Sequence, residues 1–306
     1  MSTNASTGAL TPRHALLALA VVAVWGTNFV VIKLALGHLP PLLFATLRFT
    51  LAALPGVFLL KRPPVPLRTL ALYGILIGVG QFGLLFIAMN GSIAPGLASL
   101  LMQSQVFLTI GLALWLGGEG LQRVQLVALT LGAAGLGVIA THTGGATSLG
   151  GVGLCLAASL SWACGNMVQR RSTGVDMLAY VVWASLFAVP PLFVLALWRE
   201  GWPAMAAGVA AADWTTWAAI VWQAIGNTMF GYGVWGFLLT RYPAAIVAPW
   251  SLLVPVFGMA AAAAILGEPL PPWKLAAGAL ILGGLALTLF WPHFARRFSR
   301  SLEPAA

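Results

Sequence analysis

The sequence predicts an all-α, polytopic membrane protein of ten transmembrane helices, arranged as two inverted five-helix repeats. Three observations carry that expectation. The chain has 306 residues, of which 60 % are hydrophobic and 7 % charged, whereas a soluble domain carries roughly 25 % charge. So little charge cannot cover a water-facing surface, so lipid must be the principal solvent. The chain also holds ten apolar runs of about the length, roughly 20 residues, that takes a helix across a bilayer. Finally, it repeats itself. Leu116-Gly117-Gly118-Glu119-Gly120-Leu121 recurs as Ile265-Leu266-Gly267-Glu268-Pro269-Leu270. The register then holds through the next apolar run, with Ala128 on Ala277, Leu131 on Leu280 and Gly135 on Gly284. A two-fold repeat in a membrane chain is a common plan for transporters.

The runs fall at 15–36, 41–60, 69–89, 95–116, 124–142, 150–169, 178–198, 214–237, 245–266 and 274–292. Residues 1–13 form a polar N-terminal tail. The apolar run behind it is too long for a signal peptide and reads as the first span. The first five-helix repeat then covers 14–142, the second 149–292, and 293–306 form a C-terminal tail. Only the connection from Arg199 to Asp213 is long enough for a small surface element.

Charge orients these runs. With the N-terminus in the cytoplasm, eleven of the 15 Lys and Arg residues fall inside. Only Arg199 and Lys274 fall outside, and Lys33 and Arg48 are embedded. That asymmetry is the positive-inside pattern, and it predicts an inner-membrane protein with both termini cytoplasmic. The same pattern accounts for the net charge of +9 and pI near 10.6 without nucleic acid. Five spans per half is an odd number, so the second half enters the membrane from the opposite side. The halves are then related by a pseudo-two-fold axis in the membrane plane, which suits alternating access.

Cys155 and Cys164, nine residues apart on one helix, fall on opposite faces and imply no disulfide. His14, His38, His142 and His293 all fall at predicted helix ends, where none forms a metal site. Trp198, Trp202, Trp214, Trp217, Trp273 and Trp291 fall near the predicted interfaces, where indole is at home. Trp25, Trp162 and Trp235 lie deeper.

Polar groups stranded in lipid mark packing contacts or a solute path. Lys33, about 5 Å from the outer end of the first span, can snorkel to the headgroups. Arg48, about 10 Å deep in the second span, is expected to face the bundle interior, as an anchor for backbone carbonyls or as an anion contact. The first and sixth spans each carry Trp and then Asn, as Trp25 with Asn28 and Trp162 with Asn166. Ser159, Trp162, Asn166 and Gln169 share one helical stripe. Gln81 lies in the third span, Gln103-Ser104-Gln105 in the fourth, and Gln223, Asn227, Tyr232 and Trp235 in the eighth. These positions suit interhelical hydrogen bonding or a cavity wall. Glycines around Gln81 and Asn227 let helices approach closely. Pro249 and Pro255 bend the ninth span beside Ser251. The six acids, Glu119, Asp176, Glu200, Asp213, Glu268 and Glu303, all fall outside span centres. A proton relay through a buried carboxylate is therefore disfavoured, as is an intramembrane enzyme, which needs a catalytic set of His, Ser, acid or metal. Glu119 and Glu268 precede helix starts, where a carboxylate favours the dipole. No cofactor motif is present and no oligomeric state is implied.

Trp25-Gly26-Thr27-Asn28-Phe29 with Lys33, Leu47-Arg48-Phe49, the two Gly-Glu-x-Leu segments and the five-plus-five plan resemble the EamA family of the drug/metabolite transporter superfamily. The resemblance covers residues 14 to 292. Pro95–Leu100, Ser161–Asn166, Gly231–Gly236 and Ser251–Val256 narrow it toward members that export O-acetylserine and cysteine. It implies a small-molecule exporter of amino-acid metabolites in the bilayer, with a central cavity walled by spans 1, 3, 4, 6, 8 and 9. Uptake, and efflux of bulkier drugs, are the other readings that such a fold allows. The substrate-contact candidates are Trp25, Asn28, Arg48, Gln81, Gln103, Gln105, Trp162, Asn166, Asn227, Tyr232 and Trp235.

Overall fold

A computed structural model of the chain describes residues 10–117, 122–144, 147–172 and 174–300. Secondary structure among them is helical, apart from an isolated bridge between Gly144 and Thr147. The helices of the first half are α1 (Pro12–Ala35), α2 (Pro41–Leu59), α3 (Leu67–Met89), α4 (Pro95–Leu101 continuing as Ser104–Gly117) and α5 (Arg123–Thr141). The second half has α6 (Leu149–Gln169), α7 (Met177–Arg199), α8 (Gly201–Ala211), α9 (Trp214–Arg241), α10 (Ala244–Val247 continuing to Leu266) and α11 (Pro272–Arg300). Nine helices among the described residues are long and apolar enough to cross a membrane, and the bent pair α8–α9 makes a tenth. Prolines begin α1, α2 and α4, where a missing N–H costs nothing.

Four of the spans depart from the α-helix. A π-helical stretch occupies Leu76–Gly83 in α3 and Trp222–Phe230 in α9. The chain turns out of helix at Met102 and Gln103 in α4, and tightens to a 3-10 helix over Ala248–Leu252 in α10. α3 and α9 are counterparts in the repeat, and so are α4 and α10. The irregular backbone therefore obeys the internal symmetry.

Packing obeys it too. Helix pairs that join one half to the other include α1 with α10, α6 with α4, α2 with α7 and α5 with α11. Exchanging the halves turns the first pair into the second and returns the last two to themselves, as a two-fold axis demands. The matched positions of the repeat touch across that axis. A Cβ on Gly135 would come within 3.0 Å of the Ala277 carbonyl, and one on Gly284 within 2.7 Å of the Ala128 carbonyl. α1 and α10 approach as closely, since a Cβ on Gly26 would lie 2.5 Å from the Val254 carbonyl.

The expected surface element after the seventh span is α8, an eleven-residue helix that meets α9 at 104°. Asp213 caps α9 at this corner. Hydrogen bonds from the Thr215 hydroxyl and from the amide and hydroxyl of Thr216 hold its carboxyl down to about 2, with His38 3.8 Å away. Two expectations about helix ends change. His293 lies inside α11, because hydropathy marks where a span ends while the backbone continues helical to Arg300. Glu268 bonds a different helix from the one it precedes, as described below.

Gly135→Ala and Gly284→Ala should each destabilise the fold by about 1–3 kcal/mol through backbone overlap. Gly137→Ala and Gly283→Ala, whose new methyls would meet nothing within 4 Å, should be neutral or stabilising, since alanine favours helix. Thermal unfolding in detergent checks both pairs. Because Asp213 titrates lower folded than unfolded, its cap contributes fully at neutral pH and is lost as pH falls from about 4 through about 2. Amide exchange at Thr216 should accelerate over that window relative to the mid-span amides of α9.

Candidate functional site

A cavity of about 280 Å³ lies at the centre of the bundle. Its wall comes from α1, α3, α4, α6, α9 and α10, with Met177 added from the start of α7. Those six are the helices that the resemblance implies. Each irregular segment described above contributes to the wall: Gln81 and Phe82 from the π stretch of α3, Asn227 from that of α9, Met102 and Gln103 at the break in α4, and Ser251 from the 3-10 turn of α10.

Side-chain donors serve the carbonyls of these segments. The Ser161 hydroxyl donates to Leu76 O at 2.8 Å, and that of Ser159 to Leu101 O at 3.3 Å. Thr228 donates to Gln223 O at 2.9 Å, and Ser251 to Ala248 O at 2.7 Å. The Trp25 indole N–H donates to Asn227 O at 3.1 Å, across from α1 to α9. Trp25 also packs on Tyr232 and Trp235, with ring centroids 5.6 and 5.2 Å away. Gly231 leaves room for that indole, because a Cβ there would overlap it.

The structure brings ten of the eleven sequence candidates to this cavity: Trp25, Asn28, Gln81, Gln103, Gln105, Trp162, Asn166, Asn227, Tyr232 and Trp235. Arg48 is the exception. Its side chain points between α2, α3 and α9, where Nη2 donates to the Thr228 hydroxyl at 3.0 Å. Its guanidinium also lies 4.4 Å from the Phe49 ring centre and 3.9 Å from that of Phe82. The expected carbonyl anchor is thus a hydroxyl and two aromatic faces. Sequence depth placed Arg48 inside the bundle correctly, but depth does not give rotation about the helix axis. Ser159 is likewise buried against α4, while Trp162, Asn166 and Gln169 of the same stripe reach the cavity.

Gln169 raises the carboxamides in the wall to seven, and among the described lining residues no side chain is ionised. The Nδ2 of Asn166 donates to Gln105 Oε1 at 2.9 Å. Asn28 Oδ1 and Gln81 Oε1 have no hydrogen-bond partner among the described residues. The wall also includes Tyr73, Met102 and Met177, which sequence reasoning passed over. Tyr73 sits near the end of its span and reads as an interface anchor, and the methionines carry no polarity to flag them.

Asn166, Gln169 and Met177 also line a second hollow, together with Arg170, Tyr180 and Leu239. These last are at the ends of α6, α7 and α9 that face the same way as Pro12, so the central cavity continues toward the end of the bundle that bears the termini. The other end is closed. Gly26 packs on Val254 and Phe257, and Gly258 on Ser99. Beyond them Glu268 accepts the Gly96 amide at the start of α4 and the Lys274 ammonium, both at 2.8 Å. Lys274 also donates to Pro269 O at 2.7 Å. Glu268 thus serves the dipole of α4 rather than of α11; Glu119, its counterpart in the repeat, lies outside the described residues. Glu200 does the same for α2, accepting the Leu42 and Leu43 amides at 2.6 and 3.0 Å. Burial pushes its carboxyl above the usual range, against the lowering effect of those two amides and Arg199.

The sequence profile of the EamA-like transporter family matches residues 13–141 and 149–290, once for each half. The chain belongs to that family. This EamA-like transporter is 44 % identical over 280 residues to a probable amino-acid metabolite efflux pump of Salmonella typhimurium, covering 90 % of this chain and 94 % of the relative. An Escherichia coli K12 protein of the same description is 42 % identical, with 91 % and 95 % covered. A probable terminal-alkyne amino-acid exporter of Streptantibioticus cattleyicolor is 27 % identical, with 87 % and 90 % covered. A crystal structure of 19 % identity covers 94 % of this transporter and 99 % of its own chain with a TM-score of 0.63, and shares the fold.

Glu268→Leu should leave Lys274 charged and buried, at a cost of about 3–5 kcal/mol. Adding Lys274→Met should recover most of that loss. Thermal unfolding of the single and double variants measures it; equal stability of Glu268→Leu and the native protein would contradict the pairing.

Proposed function

We propose that this transporter exports small zwitterionic metabolites, of the O-acetylserine and cysteine kind, across the cytoplasmic membrane by alternating access. The observation that carries the reading is the composition of the cavity: seven carboxamides, three tryptophans and no ionised side chain among the described wall residues. A zwitterion brings a carboxylate, which needs donors, and an ammonium, which needs acceptors. Carboxamides supply both. The acceptor oxygens of Asn28 and Gln81, without partners among the described residues, suit the ammonium once their side chains turn into the cavity, and Trp25, Trp162 and Trp235 offer it aromatic faces.

The size of the central hollow favours the proposal over drug efflux. Ligand cavities run from about 300 to 1,000 Å³, and about 280 Å³ falls just below that range. It fits an amino acid and crowds a polycyclic drug. Export rather than uptake follows the description of the relatives at 44 % and 42 % identity. The excess of Arg and Lys at the end bearing the termini supports placing that end in the cytoplasm. The central cavity and its continuation then face the compartment from which a metabolite would be loaded, while the Glu268 end closes the other side. The tails at 1–13 and 293–306 would flank the two repeats on the cytoplasmic side.

Radiolabelled cysteine and O-acetylserine flux in proteoliposomes tests the proposal. Asn28→Ala and Asn166→Ala should each cut flux at least tenfold, as loss of a hydrogen bond to a charged group implies, with membrane insertion and thermal stability preserved. Unchanged flux in both variants, or no flux in the native protein under imposed pH and voltage gradients, would count against it.

A further inference from the structure

The cavity wall holds no charge among the described residues, but a charge stands directly behind it. Arg48 is 1 % exposed, and guanidinium keeps its proton in proteins. It packs on Phe82, which lines the cavity, and bonds Thr228, the residue after the lining Asn227. Its Nε and Nη1 have no hydrogen-bond partner among the described residues. The ion pairs among those residues are Lys274 with Glu268 and His38 with Asp213, both at helix ends. No carboxylate of the described residues neutralises Arg48. Its compensation comes from the Phe49 and Phe82 rings and one hydroxyl, which are dipolar or quadrupolar and leave the net charge standing.

A net charge in low dielectric acts at a distance. At an effective dielectric constant of about 20, a unit charge roughly 10 Å away changes the affinity for a second unit charge by about tenfold. We infer that Arg48 biases charge selectivity in the central cavity without touching the solute: its field disfavours cations relative to solutes whose positive charge is offset by a carboxylate. This inference rests on the solute-cavity reading above and adds to it a class of solute that the transporter disfavours. An amino-acid metabolite is favoured about tenfold over its decarboxylated amine.

The test compares three ligands that share a thiol and differ in charge. They are cysteine (net zero), cysteamine (net positive) and N-acetylcysteine (net negative), titrated calorimetrically at pH 7 against the purified full-length protein in lipid nanodiscs. The native protein should bind cysteine more tightly than cysteamine. Arg48→Met removes the charge and retains much of the side-chain volume. It should improve cysteamine about tenfold relative to cysteine and weaken N-acetylcysteine by a similar factor, while Arg48→Lys keeps the native order. Thr228→Asp places a carboxylate beside Nη2, so it neutralises Arg48 while leaving it in place and should shift the same ratios in the same direction. It serves as the second measurement if Arg48→Met fails to fold. Ratios that change less than twofold in a folded, cysteine-binding Arg48→Met or Thr228→Asp protein would reduce Arg48 to packing and overturn the inference. Failure of all three ligands to bind the native protein would overturn the cavity reading on which it rests.

Discussion

Lipid offers a backbone amide nothing to bond to. A chain that crosses a bilayer must therefore satisfy its peptide groups internally, and any break in the helical ladder costs several kcal/mol unless some other group steps in. This chain departs from the α-helix in α3, α4, α9 and α10. At each departure a Ser, Thr or Trp from the same or a neighbouring helix donates to a carbonyl. The departures and their donors surround one polar cavity. Irregular backbone, polar side chains and the central hollow are thus one feature: the hollow is where the ladder can loosen, and Gln81 and Asn227 on the π stretches line it.

Symmetry explains how two modest halves build one site. Each five-helix unit leaves an apolar face that it cannot bury alone, and pairing across the axis buries both. The Gly135–Ala277 and Gly284–Ala128 contacts are the same contact made twice. Such an interface is self-complementary, so one sequence pattern serves both sides of it. The two ends of the bundle are nevertheless in different states. Close helix packing and the Glu268–Gly96–Lys274 cluster shut one end, while the cavity continues past Gln169 and Met177 toward the other. In an inverted repeat, an arrangement seen at one end of one half is available at the opposite end of the other, which is the structural basis of alternating access.

Much of this was legible in the sequence, for physical reasons that also set its limits. Hydropathy reports depth, so spans and embedded polar residues stood out. An amide at mid-depth has few places to go but inward, which is why Asn28, Gln103, Asn166 and Asn227 all reach the cavity. Arg48 shows the limit. Its depth was right, but a long side chain can leave its helix in several directions, and the rings of Phe49 beside it and Phe82 on the next helix decided which. Met102, Met177 and Tyr73 had no polarity at mid-depth to betray them. The π stretches in α3 and α9 were hidden for another reason. An extra residue in a turn leaves composition unchanged, and the glycines around it read equally well as packing sites.

The preference for amides over ions in the wall has its own logic. A carrier must reorient both with and without its solute. An ionised wall residue would need a counter-charge in every state, or would drag water and protons with it. Amides carry donor and acceptor together and can satisfy one another, as Asn166 and Gln105 do. A solute then exchanges one set of hydrogen bonds for another, at little net electrostatic cost. Arg48 carries a standing desolvation cost that does not change when a solute binds. Held between the Phe49 and Phe82 rings, it makes no bond that a solute must break, and its charge need not move when one arrives. Recognition by exchangeable amides and discrimination by a fixed remote charge are separable, so a wall can change its solute by trading amides while keeping the sign of charge that it admits.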